Sequence, residues 1–259
     1  MVVTVGKYNV GRSRRYDEPK ASGVSRLAAA LGTVSLLALI VAGPLHHLGF
    51  IGLTGAFAVL KWALYGALAA CLLALGGMVG AARRRAGMST AVTALVLSLA
   101  VIVPIGALAW KGSRVPAIHD ITTDPINPPP FVAALRLREG ALNPAEYGGP
   151  DVAAKQRAAY PDIVPLTLNL PPARAFDRAL AAVRTMGWDL VASDPAGGRI
   201  EATDTTFWFG FKDDVVVRVQ PQENGSRVDV RSLSRVGGGD IGANAARVRK
   251  YLAALKAGS

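Results

Sequence analysis

The sequence predicts an all-α three-helix membrane anchor followed by a soluble α+β domain, an antiparallel sheet with two packed helices and a proline-rich strap. Three observations predict it: three long charge-free stretches within the first 110 positions, a proline-rich segment behind them, and a closing region where β-rich runs sit between two helical stripes. Hydrophobic residues make up 51% of the chain, and their concentration at the front assigns that excess to membrane spans rather than to one large core.

No Asp, Glu, Lys or Arg occurs in residues 27–60, 62–82 or 86–110. About 20 apolar residues cross the hydrocarbon as helix, which places spans near 27–45, 56–82 and 88–110. Pro44 falls at an end of the first span and Pro104 inside the third, where neighbouring helices can satisfy the freed carbonyl. A cleavable signal peptide fits the first run poorly, because a polar segment of 26 residues precedes it and two further spans follow. Lys7, Arg12, Arg14, Arg15, Lys20 and Arg26 precede the first span, Arg83, Arg84 and Arg85 follow the second, and the turn after the first has no basic residue before Lys61. The positive-inside rule then puts the tail, residues 1–26, and the triple-arginine turn in the cytoplasm. Three crossings over 27–110 leave residues 111–259 in the periplasm of a bacterial inner membrane.

This topology accounts for most of the net charge of +11. Residues 1–110 carry 10 Lys or Arg against 2 Asp or Glu, net +8; residues 111–259 carry 19 against 16, net +3. The soluble part has no basic stripe with interleaved aromatics, so nucleic acid is not an expected partner. The only cysteine, Cys71, lies in the second span, which excludes a disulfide, a zinc ribbon or CxxC redox chemistry in the exported domain.

Nine prolines in residues 115–165 argue against regular helix or central strand there. Ile118, Ile121, Phe131, Tyr147, Tyr160 and Ile163 within it predict a strap laid over the domain. Beyond it the pattern predicts a strand over 164–170 and a helix over 173–186 with Phe176, Ala179, Leu180 and Val183 on one face. Strands follow over 188–192, 198–203, 206–211, 215–220 and 227–234, with turns at Asp194-Pro195, Asp213-Asp214 and Asn224-Gly225. Asp240 reads as the N-cap of a last helix with Ile241, Ala245, Val248, Leu252 and Leu255 in one stripe.

Strand parity sets Glu201, Arg218, Asp229 and Arg231 on one sheet face, near His119, Asp120 and Asp124 if the strap crosses it. That face is the candidate binding site, with Arg235 beside it. Its structural reading is a set of cross-strand ion pairs holding the strap. The catalytic candidates are His119 as base, Asp120 or Asp124 orienting it, and Ser234 (or Ser232) as nucleophile, without a Gly-x-Ser-x-Gly elbow to support them. A metal set of His119 with Asp120, Asp124, Asp213 or Asp214 relies on adjacent residues, which rarely chelate one ion, so no metal is assigned. No cofactor fingerprint occurs. Residues 231–240 combine arginines, hydroxyls and glycines, but a carboxylate at the cap opposes anion binding and favours a tight strand-to-helix connection. In the spans, Lys61 reads as an interfacial lysine beside Trp62 and Tyr65. Gly66, Ala70, Gly76, Gly77 and Gly80 permit close packing, which admits either self-association or a second membrane protein as partner beside the bilayer.

The motifs Arg114-Val115-Pro116 through Asp124-Pro125, Tyr160-Pro161-Asp162-Ile163, Ile200-Glu201-Ala202, Phe209-Gly210-Phe211-Lys212-Asp213-Asp214 and Val228 through Gly237 occur in order. In them the chain resembles the family catalogued as domain of unknown function 1499, over residues 114–255. It departs from the family at Gly237-Gly238-Gly239-Asp240, where a serine more often precedes the aspartate. The resemblance implies little about activity. The expected role is a non-catalytic binding or assembly module in the cell envelope, with no small-molecule ligand identifiable. The alternative is an envelope hydrolase or metal-dependent enzyme using His119 and nearby carboxylates.

Overall fold

Residues 21–257 are described by a computed structural model, so most of the basic tail lies outside the described residues. The chain forms two units, one built from the segments up to Ala38 and from Lys61 to Ile102, the other from Leu39–Leu60 and everything from Val103 onward. Three helices, α1 (Gly23–His47), α2 (Leu53–Arg84) and α3 (Met88–Gly112), are long and apolar enough to cross a membrane. In the first unit small residues let them approach closely. Ala28, Ala74 and Ala94 form a buried cluster. A Cβ on Gly66 would stand 2.5 Å from the Ser35 hydroxyl, and one on Gly77 2.7 Å from that of Ser25, whereas Gly76 and Gly80 face open space. The Lys61 ammonium lies 5.9 Å from the Trp62 ring centroid.

The second unit is built on a six-stranded antiparallel sheet: β1 (Asp120–Thr122), β2 (Leu166–Leu168), β3 (Asp189–Asp194), β4 (Arg199–Thr205), β5 (Lys212–Gln222) and β6 (Gly225–Ser234). The order is β1-β6-β5-β4-β3, and β2 pairs with the far half of β6, so two short strands share that edge. One face carries Ile200, Ala202, Val215, Val217, Val219, Val228 and Val230 and is covered by α5 (Pro172–Thr185) and α6 (Ala243–Ala257). Those helices contribute Phe176, Ala179 and Val183, and Val248, Tyr251 and Leu255. The Tyr251 hydroxyl donates to the Ala179 carbonyl at 2.8 Å and its ring stacks on Trp188. On the other face a smaller core joins Val216 and Leu233 to Phe131 and Ala134 of the strap.

The strap is more structured than its prolines predict. It contains β1, a 3₁₀ helix (Ala134–Arg138) and α4 (Gly149–Ala159). Pro150 enters α4 in its first turn, where no amide hydrogen is needed, and residues 151–160 contain no proline. Buried Gln156 of α4 accepts from the Thr122 amide at 3.0 Å and donates to the Thr122 carbonyl at 2.6 Å, closing the exposed edge of β1.

Two further expectations are corrected. Asp213-Asp214 is not a turn: both residues lie in β5, buried and paired with arginines. Residues 206–211 are not a strand but the loop joining β4 to β5. The Thr206 amide donates to the Phe211 carbonyl, the Gly210 amide to the Thr206 carbonyl, and Gly210 has φ +67°. The rings of Trp208, Phe209 and Phe211 gather at the end of α1 and the start of α2 instead of on the sheet. The β5–β6 turn itself is Glu223-Asn224, with Gly225 already paired to Gln222.

Candidate functional site

The face of the sheet beneath the strap places Glu201, Asp214, Arg218, Asp229 and Arg231 side by side, as alternation along β4, β5 and β6 requires. Every one of them is engaged. Arg231 meets Asp120 with a two-pronged bond, Nε to Oδ1 at 3.0 Å and Nη2 to Oδ2 at 2.7 Å. It also donates to the carbonyls of Pro129 and Ala145, and its guanidinium lies over the rings of Phe131 and Tyr147. Burial pushes the Asp120 carboxyl above its usual range despite Arg231, and lifts the Tyr147 hydroxyl to about 12, so that phenol stays neutral.

Glu201 is fully buried and accepts the amides of Val132, Ala133 and Ala134 at 2.8–3.1 Å, supplying partners to the first turn of the 3₁₀ helix, while Arg199 pairs with it from β4. At the opposite end Asp229 and Asp124 share two arginines: Arg218 reaches both, and so does Arg227. Asp124 also accepts the Ile126 and Asn127 amides, a turn that starts the polyproline stretch.

A third cluster surrounds Asp214, which accepts from Thr203, Arg138 and Arg235 at 2.6–2.9 Å. Burial alone would raise its carboxyl, but the bonds from Arg235, Thr203 and Arg138 outweigh it and hold the group below the ordinary carboxylate range. Unfolded, an aspartate titrates near pH ~3.9. The stabilisation by this clamp is therefore complete above that pH and is lost as pH falls through the lower folded value. Asp214→Asn is expected to cost about 3 kcal/mol at pH 7, by leaving Arg138 buried without its charge partner, and to flatten the acid limb of stability. Denaturant melts of the detergent-solubilised protein between pH 3 and pH 7 check both.

The catalytic candidates fall on two faces of the sheet, with Asp120 and Asp124 bonded to arginines on the strap face. Ser234 lies on the helix-covered face, accepting from Asn244 Nδ2 at 2.8 Å. His119 is bonded through its carbonyl, to the Ser234 amide and Asn244, while its Nδ1 is buried with no hydrogen-bond partner. Arg247 binds Asp204, Asp213, Ser232 and Asn244 on that same face. Asp240 caps α6 by accepting the Gly242 and Asn244 amides. Among the described residues no group of three or more His, Cys, Asp or Glu side chains is placed to hold a metal ion. A surface pocket of about 600 Å³ opens at the Asp124 end of the network, lined by Asp124, Ile126, Arg157, Tyr160, Ile163 and Arg227 among others.

Sequence reasoning missed Arg138, Arg227 and Gln156, and offered Asp214 only as a turn residue and metal candidate. Extending the alternation of Val216 and Arg218 by one step would have put Asp214 on the strap face; Arg138 and Gln156 carry no local signal. Three helices able to span a bilayer, followed by a sheet domain with an arginine-clamped strap, define the class of protein. The chain belongs to the family described as protein of unknown function (DUF1499), whose model matches residues 120–255. No curated protein matches the chain.

Proposed function

We propose that this is a multi-pass protein of a bacterial inner membrane, with residues 1–26 cytoplasmic, 27–110 spanning, and 111–259 a periplasmic, non-catalytic binding or assembly module. The distribution of Lys and Arg about the spans supports the orientation. One observation carries the role: the charged residues picked out on the sheet face, Glu201, Arg218, Asp229, Arg231 and Arg235, are all engaged in holding segments of this chain together. Glu201, Arg218, Asp229 and Arg231 bind the strap, Arg235 holds Asp214 within the sheet, and the strap in turn offers the pocket with exposed Ile126 and Arg157 at its rim. A second membrane protein docking at that rim is the partner this reading expects, alongside the bilayer.

A photo-crosslinking residue in place of Ile126, which is 91% exposed, is expected to trap a discrete adduct in native membranes, and one in place of Leu142, 73% exposed and outside the pocket lining, is not. Absence of an adduct at 126, or equal adducts at both positions, contradicts the reading. The rival is an envelope hydrolase or metal-dependent enzyme, and the unpartnered Nδ1 of His119 favours it. It requires stoichiometric metal retained after dialysis, or a turnover that His119→Ala abolishes.

A further inference from the structure

Pro44 lies inside α1 and has no amide hydrogen to give the carbonyl of Ile40 four residues earlier. The indole Nε1 of Trp208, in the β4–β5 loop, donates to that carbonyl at 3.1 Å and takes the place of the missing helical donor. Gly43 makes the approach possible, since a Cβ there would stand 2.9 Å from Cγ, Cδ1 and Cδ2 of the indole. Around this bond Phe209 stacks on Phe57 and Phe211, and the ring of His46 lies beside both Phe209 and Phe211. His47 Nδ1 is 3.1 Å from the Phe207 carbonyl. The loop is thereby clamped to the helix end while the Phe207 side chain is left 95% exposed, beside an α1–α2 turn whose Phe50 and Leu48 are 73% and 71% exposed.

We propose that this loop is a direct bilayer contact of the DUF1499 domain, with Phe207, Phe50 and Leu48 seated among lipid headgroups and the upper acyl chains. Ile40 lies seven residues before the end of α1, about 10 Å down its axis at ~1.5 Å per residue. A 25-residue helix is about 37 Å long against a hydrocarbon core of ~30 Å, so ~3 to 7 Å of α1 extends beyond the core at this end and the Trp208 bond falls ~3 to 7 Å inside the hydrocarbon boundary. Tryptophan concentrates close to that boundary because one edge of its ring is polar and the rest apolar. At the end of α3, Trp110 with the Arg114 guanidinium 4.0 Å from its ring centroid has the same character. Residues 205–211 carry no charge, and no acidic residue occurs between Glu18 and Asp120, so nothing in the loop or the turn resists transfer into lipid. The contact is independent of what the pocket binds, and it would hold the domain at a set height on the membrane.

The test uses the full-length protein with Cys71→Ser and Phe207→Cys carrying an environment-sensitive fluorophore, in phosphatidylcholine–phosphatidylglycerol nanodiscs. Lipids spin-labelled near the headgroup should remove most of the emission, and aqueous iodide should leave it. The same fluorophore at Ile126→Cys should respond to iodide alone. Iodide quenching at 207 equal to that at 126 would overturn the proposal, and so would a probe shielded from both quenchers, which would mean that protein covers the loop. Trp208→Phe in the labelled protein removes the indole bond and should increase iodide access at 207; unchanged access would show that the bond does not seat the loop.

Discussion

Glu201→Ala is expected to release the strap from the sheet. The carboxylate is the shared acceptor of three successive amides, those of Val132, Ala133 and Ala134, and it is fully buried. Its removal leaves those amides without acceptors and opens a cavity beneath them, at a cost of about 3 to 5 kcal/mol. That is a large part of the 5–15 kcal/mol typical of a folded domain. Trypsin should then cut at Arg136 and Arg138, which the docked 3₁₀ helix protects. Glu201→Gln restores one acceptor oxygen but aims an amide donor at another donor, so its stability should fall between wild type and alanine. Wild-type resistance of the alanine variant to trypsin would refute the clamp.

Arg231→Met should be comparably severe, for a different reason. Methionine keeps apolar length between Phe131 and Tyr147, yet it leaves Asp120 buried without its countercharge and the carbonyls of Pro129 and Ala145 without their donor. Breaking one side of a buried pair costs about 3 to 5 kcal/mol. Replacing both sides, Asp120→Leu with Arg231→Met, removes the stranded charge and should recover part of the loss. Denaturant melts read by the fluorescence of Trp188, stacked on Tyr251 in the core, order the variants. A double variant no more stable than Arg231→Met alone would show that the pair acts through packing rather than through charge.

The three spans were readable because length, apolarity and flanking arginines are properties of contiguous residues. Strand alternation is equally local: Val215, Val217 and Val219 face the helices, so Val216 and Arg218 must face the strap. The partners of those residues were not readable. Asp213-Asp214 has the composition of a turn, and only arginines from distant segments, Arg138, Arg235 and Arg247, make it a buried part of β5. The run from Thr206 to Phe211 has the composition of a strand. It becomes a loop because its rings find Gly43, His46 and Phe57, residues some 150 positions away in the chain. The proline count of the strap likewise hid the proline-free stretch that forms α4.

Periodicity, apolar length and charge distribution thus specified an α-helical anchor and a sheet with one polar face, since each depends on neighbours along the chain. Whether that polar face meets a ligand or meets the protein itself depends on what folds over it. The buried carboxylates need donors, and the strap and the sheet, brought together from positions up to 111 residues apart, provide them to each other.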